Sequence, residues 1–255
     1  MNKSVTIVTT FSDKNFEDYA KHCVTSLQRY AEKDIKVKVY TDTPYLWLQG
    51  HNWQNLILEA EVPELKKFKK RHRHRVVPPG TKGFTKDGVR FSHKSYAWCH
   101  AGLNCDTDVL MWLDADTEVL DTLTADYLAS FVKDGYVSSY LGRQGRFTET
   151  GYLGWNMNHP DARRMLLRIK QYYDEDLIYN MKHHTDCHVY DAVREELEGD
   201  GIPSFNLTKD LTSGHFNETF VGYLTHYKGN DKDNRRPHFR QAMVRKRQHE
   251  QRRHT

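Results

Sequence analysis

The chain lacks any apolar run that could cross a membrane. No stretch of its 255 residues approaches the roughly 18 apolar residues of a spanning helix, and the mean hydropathy is -0.82. A secretory leader is not expected either. Met1 to Val8 holds one lysine and an apolar run of only a few residues, too short for the apolar core of a signal. Cysteine is scarce, and Cys23, Cys99, Cys105 and Cys187 include no Cys-x-x-Cys pair, so a structural zinc ribbon is not expected. Reduced thiols and a cytoplasmic location are the expectation. No internal repeat is visible. Charge of one sign is nearly lacking too. Lys and Arg number 38 against 34 Asp and Glu. The residues from Arg235 to Thr255 carry eight Lys/Arg and one Glu, so this tail holds +7 and the remainder −3 of the net +4. A globally basic nucleic-acid binder is therefore not indicated.

What is present describes a folded α/β chain. Aromatics reach 12%, too many for disorder, and the length suits one or two domains with a self-sufficient core. Val5 to Thr10 is a β-branched run that predicts a buried parallel strand. A helical period follows over about Asn15 to Glu32, then a strand over Lys36 to Tyr40. Strand, helix and strand make a βαβ unit, whose ligands bind at the carboxyl ends of the strands. Thr9, Thr10, Phe11 and Asp42 stand at those ends, where turn and capping chemistry is the plainer alternative. Leu65 to Arg75 is dense in Lys and Arg and reads as a charged helix or loop. A helix over about His93 to Cys105 leads into the strand Val109 to Leu113. Further elements are expected as a strand at Tyr136 to Tyr140, a mixed segment at Gly151 to Asn156, helices at Asp161 to Tyr173 and Asp186 to Leu197, and short strands near Ser204-Phe205 and Tyr223 to Thr225.

Directly after the apolar strand stands Asp114-Ala115-Asp116. Two carboxylates aimed from one loop repel each other unless a cation lies between them, and hard divalent ions take such ligands together with substrate phosphates. The haloacid-dehalogenase-type phosphatases use Asp-x-Asp after a strand, but there the motif ends the domain's first strand. Here more than 100 residues precede it, and Gly199-Asp200 follows a charged helical run rather than the apolar strand that a second acidic motif needs.

The block Leu113-Asp114-Ala115-Asp116-Thr117-Glu118-Val119-Leu120 resembles the metal-binding block of GT-A-type nucleotide-sugar glycosyltransferases, in particular the glycogenin-like family 8 enzymes. Lys94-Ser95-Tyr96-Ala97-Trp98 resembles a helix start whose lysine touches the donor. His226-Tyr227-Lys228-Gly229-Asn230-Asp231-Lys232 is similar to a late block in which His is a third metal ligand while Gly and Lys hold the diphosphate. Glu149-Thr150-Gly151 resembles a sugar-pocket segment that carries Asn where Glu149 stands, and Thr185-Asp186-Cys187 lies where the family has Asp-Gln.

The resemblance implies a GT-A-like, Rossmann-type mixed and mainly parallel sheet flanked by helices over residues 1–234, followed by a basic tail over 235–255. It implies Asp114, Asp116 and His226 as ligands of Mn2+ or Mg2+, the N/O set favouring manganese. A nucleotide-sugar donor, with UDP-glucose or UDP-galactose favoured, would meet Thr9, Thr10, Phe11, Asp42, Lys94, Asp114, Ala115, Asp116, Gly151, Gly229 and Lys232. Asp186, Thr150 and Asn156 are the catalytic candidates. Asp186 would stabilise an oxocarbenium-like state or accept from a sugar hydroxyl, and capping of the following helix serves equally well. Trp155 and Asn156 are expected on the acceptor side. His183, His184 and His188 sit mostly next to one another in sequence, so their side chains diverge and make a poor second metal cluster. The expected activity is a metal-dependent hexosyl transfer with retained configuration to an unknown acceptor. The competing readings are a nucleic-acid binder using the basic clusters, which hold only Phe68 and Phe239 for stacking, and a sugar-nucleotide binder without transfer. Oligomeric state and acceptor are not written in the sequence.

Overall fold

Val5–Thr10 (β1) is buried along its first five residues, as a β-branched run predicts for a strand covered on both faces. The computed structural model describes residues 3–78, 81, 83–209 and 216–227. In chain order β1 is followed by helix α1 (Lys21–Tyr30), β2 (Lys36–Thr41), β3 (Trp53–Ile57), α2 (Leu58–Glu61), α3 (Pro63–His72), α4 (Gly88–Leu103), β4 (Val109–Leu113), β5 (Thr117–Val119), α5 (Ala125–Ala129), β6 (Ser138–Arg143), β7 (Arg146–Asn156), α6 (Ala162–Asp174), α7 (Asp186–Gly199), β8 (Phe205–Asn206), α8 (Phe216–Thr219) and β9 (Leu224–His226).

The seven-stranded sheet has the order β3-β2-β1-β4-β7-β6-β8. All neighbours pair in parallel except around β7, which runs antiparallel to both β4 and β6. β5 and β9 form a separate antiparallel ribbon. Side-chain alternation divides the core between the two faces. Val5, Ile7, Val37, Val39, Val109, Met111 and Leu113 pack with Cys23, Val24 and Leu27 of α1. Leu110, Trp112, Leu153 and Trp155 pack on the other face with Trp98 of α4 and Met165, Leu166 and Ile169 of α6. There Trp98 lies 5.8 Å from both Trp112 and Trp155. Such ring pairs add roughly 0.5–1.5 kcal/mol beyond the area they bury. Gly102 makes the layer thin enough, since a Cβ there would stand 2.3 Å from Leu166 Cδ1 and 3.0 Å from Leu110 Cδ2.

Several expectations shift by a turn or more. The first helix breaks into a 3-10 turn at Asp13–Asn15, a π turn at Phe16–Ala20 and then α1. α4 begins at Gly88, capped by the Asp87 carboxylate, which accepts from Arg90 N at 2.9 Å. Lys94 therefore lies in its second turn and not at a helix start. The segment read as mixed is the second half of β7, an eleven-residue strand. β3 was not foreseen, because Trp53–Ile57 is half-buried at the sheet edge and lacks an apolar run. The basic run is α3 and a following 3-10 turn. Phe68 faces the core there, Lys69 pairs with Glu59, and Arg71 pairs with Asp176 at 2.8 Å. Among the described residues no helix is long and apolar enough to cross a membrane. The tail from Arg235 lies outside the described residues.

β7 carries the irregularity that matters for function. Its register with β6 jumps from Tyr140↔Leu153 to Leu141↔Glu149. Thr150, Gly151 and Tyr152 thereby leave the β6 ladder, while Tyr152 still pairs with Leu113 on β4. A bulge of this kind bends a strand and re-aims its side chains. Here it does so beside the carboxyl end of β4.

Candidate active site

Four elements deliver side chains to one place. β4 ends at Leu113, and Asp114 N donates to Gly151 O at 3.0 Å, fixing the start of the Asp-Ala-Asp turn against the bulge. The turn closes with Thr117 N on Asp114 O at 2.9 Å. β9 pairs with β5 in a register that sets His226 opposite Thr117. Asn217 of α8 accepts from His226 N at 2.6 Å. His226 Nε2 then lies 2.8 Å from Asp116 Oδ1 and 3.7 Å from Asp114 Oδ2. Candidate ligand atoms from Asp114, Asp116 and His226 fall within 4.8 Å of one another, the three-residue cluster the sequence suggested.

Gly151 explains why the imidazole can enter. A Cβ at this position would stand 2.6 Å from both Cε1 and Nδ1 of His226. Its role is thus to admit the ring, and its place in a sugar-pocket segment reads as packing under the candidate metal ligand.

Lys94 rises from α4 into the same cluster. Its Nζ lies 2.6 Å from Asp114 Oδ1 and 3.1 Å from Asp186 Oδ2, and it donates to Thr150 O at 2.6 Å. An ammonium has three donors, and all three are taken. Thr150 Oγ1 donates to Asp186 Oδ2 at 2.7 Å, so this one oxygen of the buried Asp186 at the start of α7 meets both Thr150 and Lys94. Trp112 Nε1 donates to Asp114 Oδ1 at 2.9 Å and links the carboxylate to the tryptophan core. The signal for this link was present in the sequence: a buried indole N–H needs an acceptor, and Asp114 is two residues on.

The electrostatics follow from burial. Removal from water alone would discharge Lys94, but Asp114 and Asp186 outweigh that and hold its ammonium well above the ordinary lysine range. Asp114 is pushed up by burial and by Asp116, against the opposing pull of Lys94 and His226. A half-buried pair of carboxylates with one buried imidazole suits a divalent cation, because the ion would offset both the desolvation and the repulsion. On α4 next to Lys94, burial and then Lys69 push His93 down to about 4, so this ring is neutral near pH 7.

A cavity of ≈ 1130 Å³ opens over the carboxyl ends of β1 and β4. Thr10, Phe11, Lys94, Asp114, Ala115, Asp116, Thr150 and Asp186 line it, as expected. So do residues the sequence did not single out, including Tyr19, Arg90, His93 and Arg143. Tyr19 stands on an irregular turn, Arg90 and His93 on the first turns of α4, and Arg143 at a hairpin end, where no residue pattern marks a site.

Other expected residues stand elsewhere. Thr9 is fully buried and shares the parity of Val5 and Ile7, which face α1. Asp42 is exposed and its Oδ2 accepts from Asp13 N at 3.3 Å, which makes it a loop tie. Asn156 pairs with Val109 at the opposite end of β4 from Asp114, and Trp155 lies in the core. Neither reaches the cavity, because a regular antiparallel strand carries them away from it. Gly229 and Lys232 lie outside the described residues.

No protein-family model matches this sequence. No curated protein matches it either. Solved structures do. The chain is similar to mouse xyloside xylosyltransferase 1, crystallised in its apo form, with a TM-score of 0.50 and 9% identity over 80% of this chain and 84% of that one. At such identity the likeness is one of fold. It agrees with the GT-A-like arrangement of a mainly parallel sheet flanked by helices, and it does not single out the glycogenin-like subgroup.

Proposed function

We propose that the protein is a divalent-metal-dependent glycosyltransferase that moves a sugar from a UDP-sugar to an acceptor hydroxyl. The observation that carries this reading is the convergence of Asp114, Asp116 and His226, whose two carboxylates line a cavity large enough for a nucleotide sugar at the strand ends of a GT-A-like sheet. UDP-glucose and UDP-galactose remain the favoured donors. The similar structure is named as a xylosyltransferase, so UDP-xylose belongs in the same panel.

When bound, the divalent ion supplies charge neutralisation for the diphosphate leaving group. Two carboxylates and one imidazole would hold it, with Mn2+ better matched than Mg2+ to the N/O set. The chain's own groups do the rest. Phe11 and Thr10 present the end of β1 to the nucleoside. Lys94 bridges Asp114 and Asp186 and adds positive charge beneath the diphosphate. Asp186, fixed by Thr150 and Lys94, puts a buried negative charge beside the sugar, where an oxocarbenium-like state would develop. In the transfer the bond from the anomeric carbon to the phosphate oxygen breaks with its electron pair on the diphosphate. The acceptor oxygen bonds to that carbon, and its proton leaves to the diphosphate. With retention, attack comes from the face the diphosphate leaves.

The test is UDP release from UDP-glucose, UDP-galactose and UDP-xylose, with Mn2+, with Mg2+ and with chelator, followed by NMR of the anomeric proton in the product. The reading expects one donor to be consumed only with a cation and to keep its configuration. No release and no binding of any donor under any cation would sink it.

A further inference from the structure

His226 presents its two ring nitrogens to two different sets of carboxylates. Nε2 faces Asp116 and Asp114, the side on which a cation would sit. Nδ1 points the other way, into the bulge of β7, where Glu149 Oε1 is 4.0 Å distant. Nδ1 is buried and has no hydrogen-bond partner among the described residues. Glu149 is only 6% exposed. Its Oε2 lies 3.4 Å from Arg143 Nη1, and its Oε1 accepts from Gly151 N at 3.4 Å. Arg143 in turn donates to the carbonyls of Phe147 and Thr148 at 2.8 and 3.2 Å, which anchors it to the hairpin.

An imidazole that ligates through Nε2 keeps its proton on Nδ1. That N–H, buried in the bulge, needs an acceptor. Ligating histidines usually hand this proton to a carboxylate or carbonyl, which fixes the ring and makes the ligating nitrogen more basic. We propose that Glu149 is the positioning carboxylate for His226, accepting its Nδ1–H and turning the Nε2 lone pair toward Asp114 and Asp116. This rests on the cation reading above. In the structure Nε2 stands at hydrogen-bond distance from Asp116, and a cation taking Nε2 leaves Nδ1 as the ring's one proton-bearing nitrogen. The 4.0 Å gap is wider than a hydrogen bond, and a shift of about 1 Å by the ring or the carboxylate closes it. Glu149 is not a fourth ligand, because the imidazole lies between it and the side of Nε2. Gly151 permits the arrangement, as a Cβ there would intrude between the two groups, 2.6 Å from Nδ1 and 3.3 Å from Glu149 Oε1. The resembled sugar-pocket segment carries a neutral Asn at this position, so the charge on Glu149 is a feature of this chain.

The experiment is a direct Mn2+ titration of the full chain, followed by the EPR signal of free Mn2+ without donor or acceptor. The parent is compared with Glu149→Gln, Glu149→Ala and His226→Ala. Loss of such a partner typically weakens a metal site by roughly 10–100-fold, and this is expected for Glu149→Ala. Glu149→Gln, which keeps an acceptor oxygen without the charge, should fall between Ala and the parent, with a cation-free melting temperature like the parent's. In the Mg2+-bound parent, 15N NMR should find the His226 proton on Nδ1. Parental affinity in Glu149→Ala, with His226→Ala impaired, removes Glu149 from the site and leaves the cation reading standing. A parent that binds no Mn2+ removes the cation reading itself and the role of Glu149 with it. If Glu149→Ala does not fold, Glu149→Gln decides: weakened binding upholds the proposal and parental affinity overturns it.

Discussion

Asp114 and Asp116 leave a strand that is buried over all five residues and paired on both sides, by β1 and β7. His226 ends a strand of three residues paired only to another of three. Beyond that ribbon it relies on Asn217, whose side chain bonds both its N–H and its carbonyl, and on the Phe216 ring 5.2 Å away. A two-stranded ribbon is marginal on its own. The two halves of the candidate metal site therefore differ in what holds them. The carboxylates are placed by the core, and the imidazole is placed by a few local bonds that a cation would reinforce. Function residues drawn from the less stable part of a fold are a common arrangement.

The largest effect should come from breaking the rigid half. Trp112→Ala removes a fully buried ring that touches Trp98 and also donates to Asp114. Emptying such a site costs about 3–5 kcal/mol, and chemical denaturation should show it as an earlier midpoint with Mn2+ present or absent. If Trp112→Ala unfolds with the parent's midpoint, the core does not place the carboxylates.

Next is the contact between the halves. Gly151→Ala drives a methyl into His226, a crowding that costs roughly 1–3 kcal/mol where the core cannot yield. The ring can move with β9, so we expect most of the effect in the cation. Mn2+ affinity should drop about tenfold or more, since 1.4 kcal/mol is a factor of ten, while the cation-free melting temperature changes little. A variant that keeps parental Mn2+ affinity would show that His226 does not ligate from beside Gly151.

The smallest effect belongs to the ribbon half alone. Asn217→Ala removes two bonds to the His226 backbone, worth roughly 1 kcal/mol each at most once water competes. Amide hydrogen exchange at 224–226 should quicken without Mn2+ and return toward the parent's rate at saturating Mn2+. Exchange equally fast in both conditions would contradict the view that the cation fastens β9.

This difference also governs what could be read from the sequence. β1 and β4 announce themselves as apolar runs and β2 as an alternation of lysine and valine, and the Asp-Ala-Asp turn is legible because it follows one of the apolar runs. His226 was found from its spacing to Gly229 and Lys232, a family pattern, since three residues of β9 carry no periodicity of their own. Lys94 stands a turn further into its helix than the sequence suggests, because α4 already starts at Gly88, behind the Asp87 cap. Asn156, expected on the acceptor side, lies five residues past Gly151 on the same strand. An antiparallel strand carries that spacing from one end of β4 to the other. Glu149 looked like a changed sugar-pocket residue, and only the register jump in β7 turns it toward His226.

The central claim is that a divalent cation on Asp114, Asp116 and His226 joins the protein to a nucleoside diphosphate. Calorimetric titration of UDP, with and without Mn2+, into the parent and Asp116→Ala tests it most directly. The account predicts tight binding only for the parent with Mn2+, and a loss of roughly 1.5–3 kcal/mol or more, about ten- to a hundredfold, in the variant. Equal UDP affinity in parent and variant with Mn2+, or binding that ignores the cation, would contradict it.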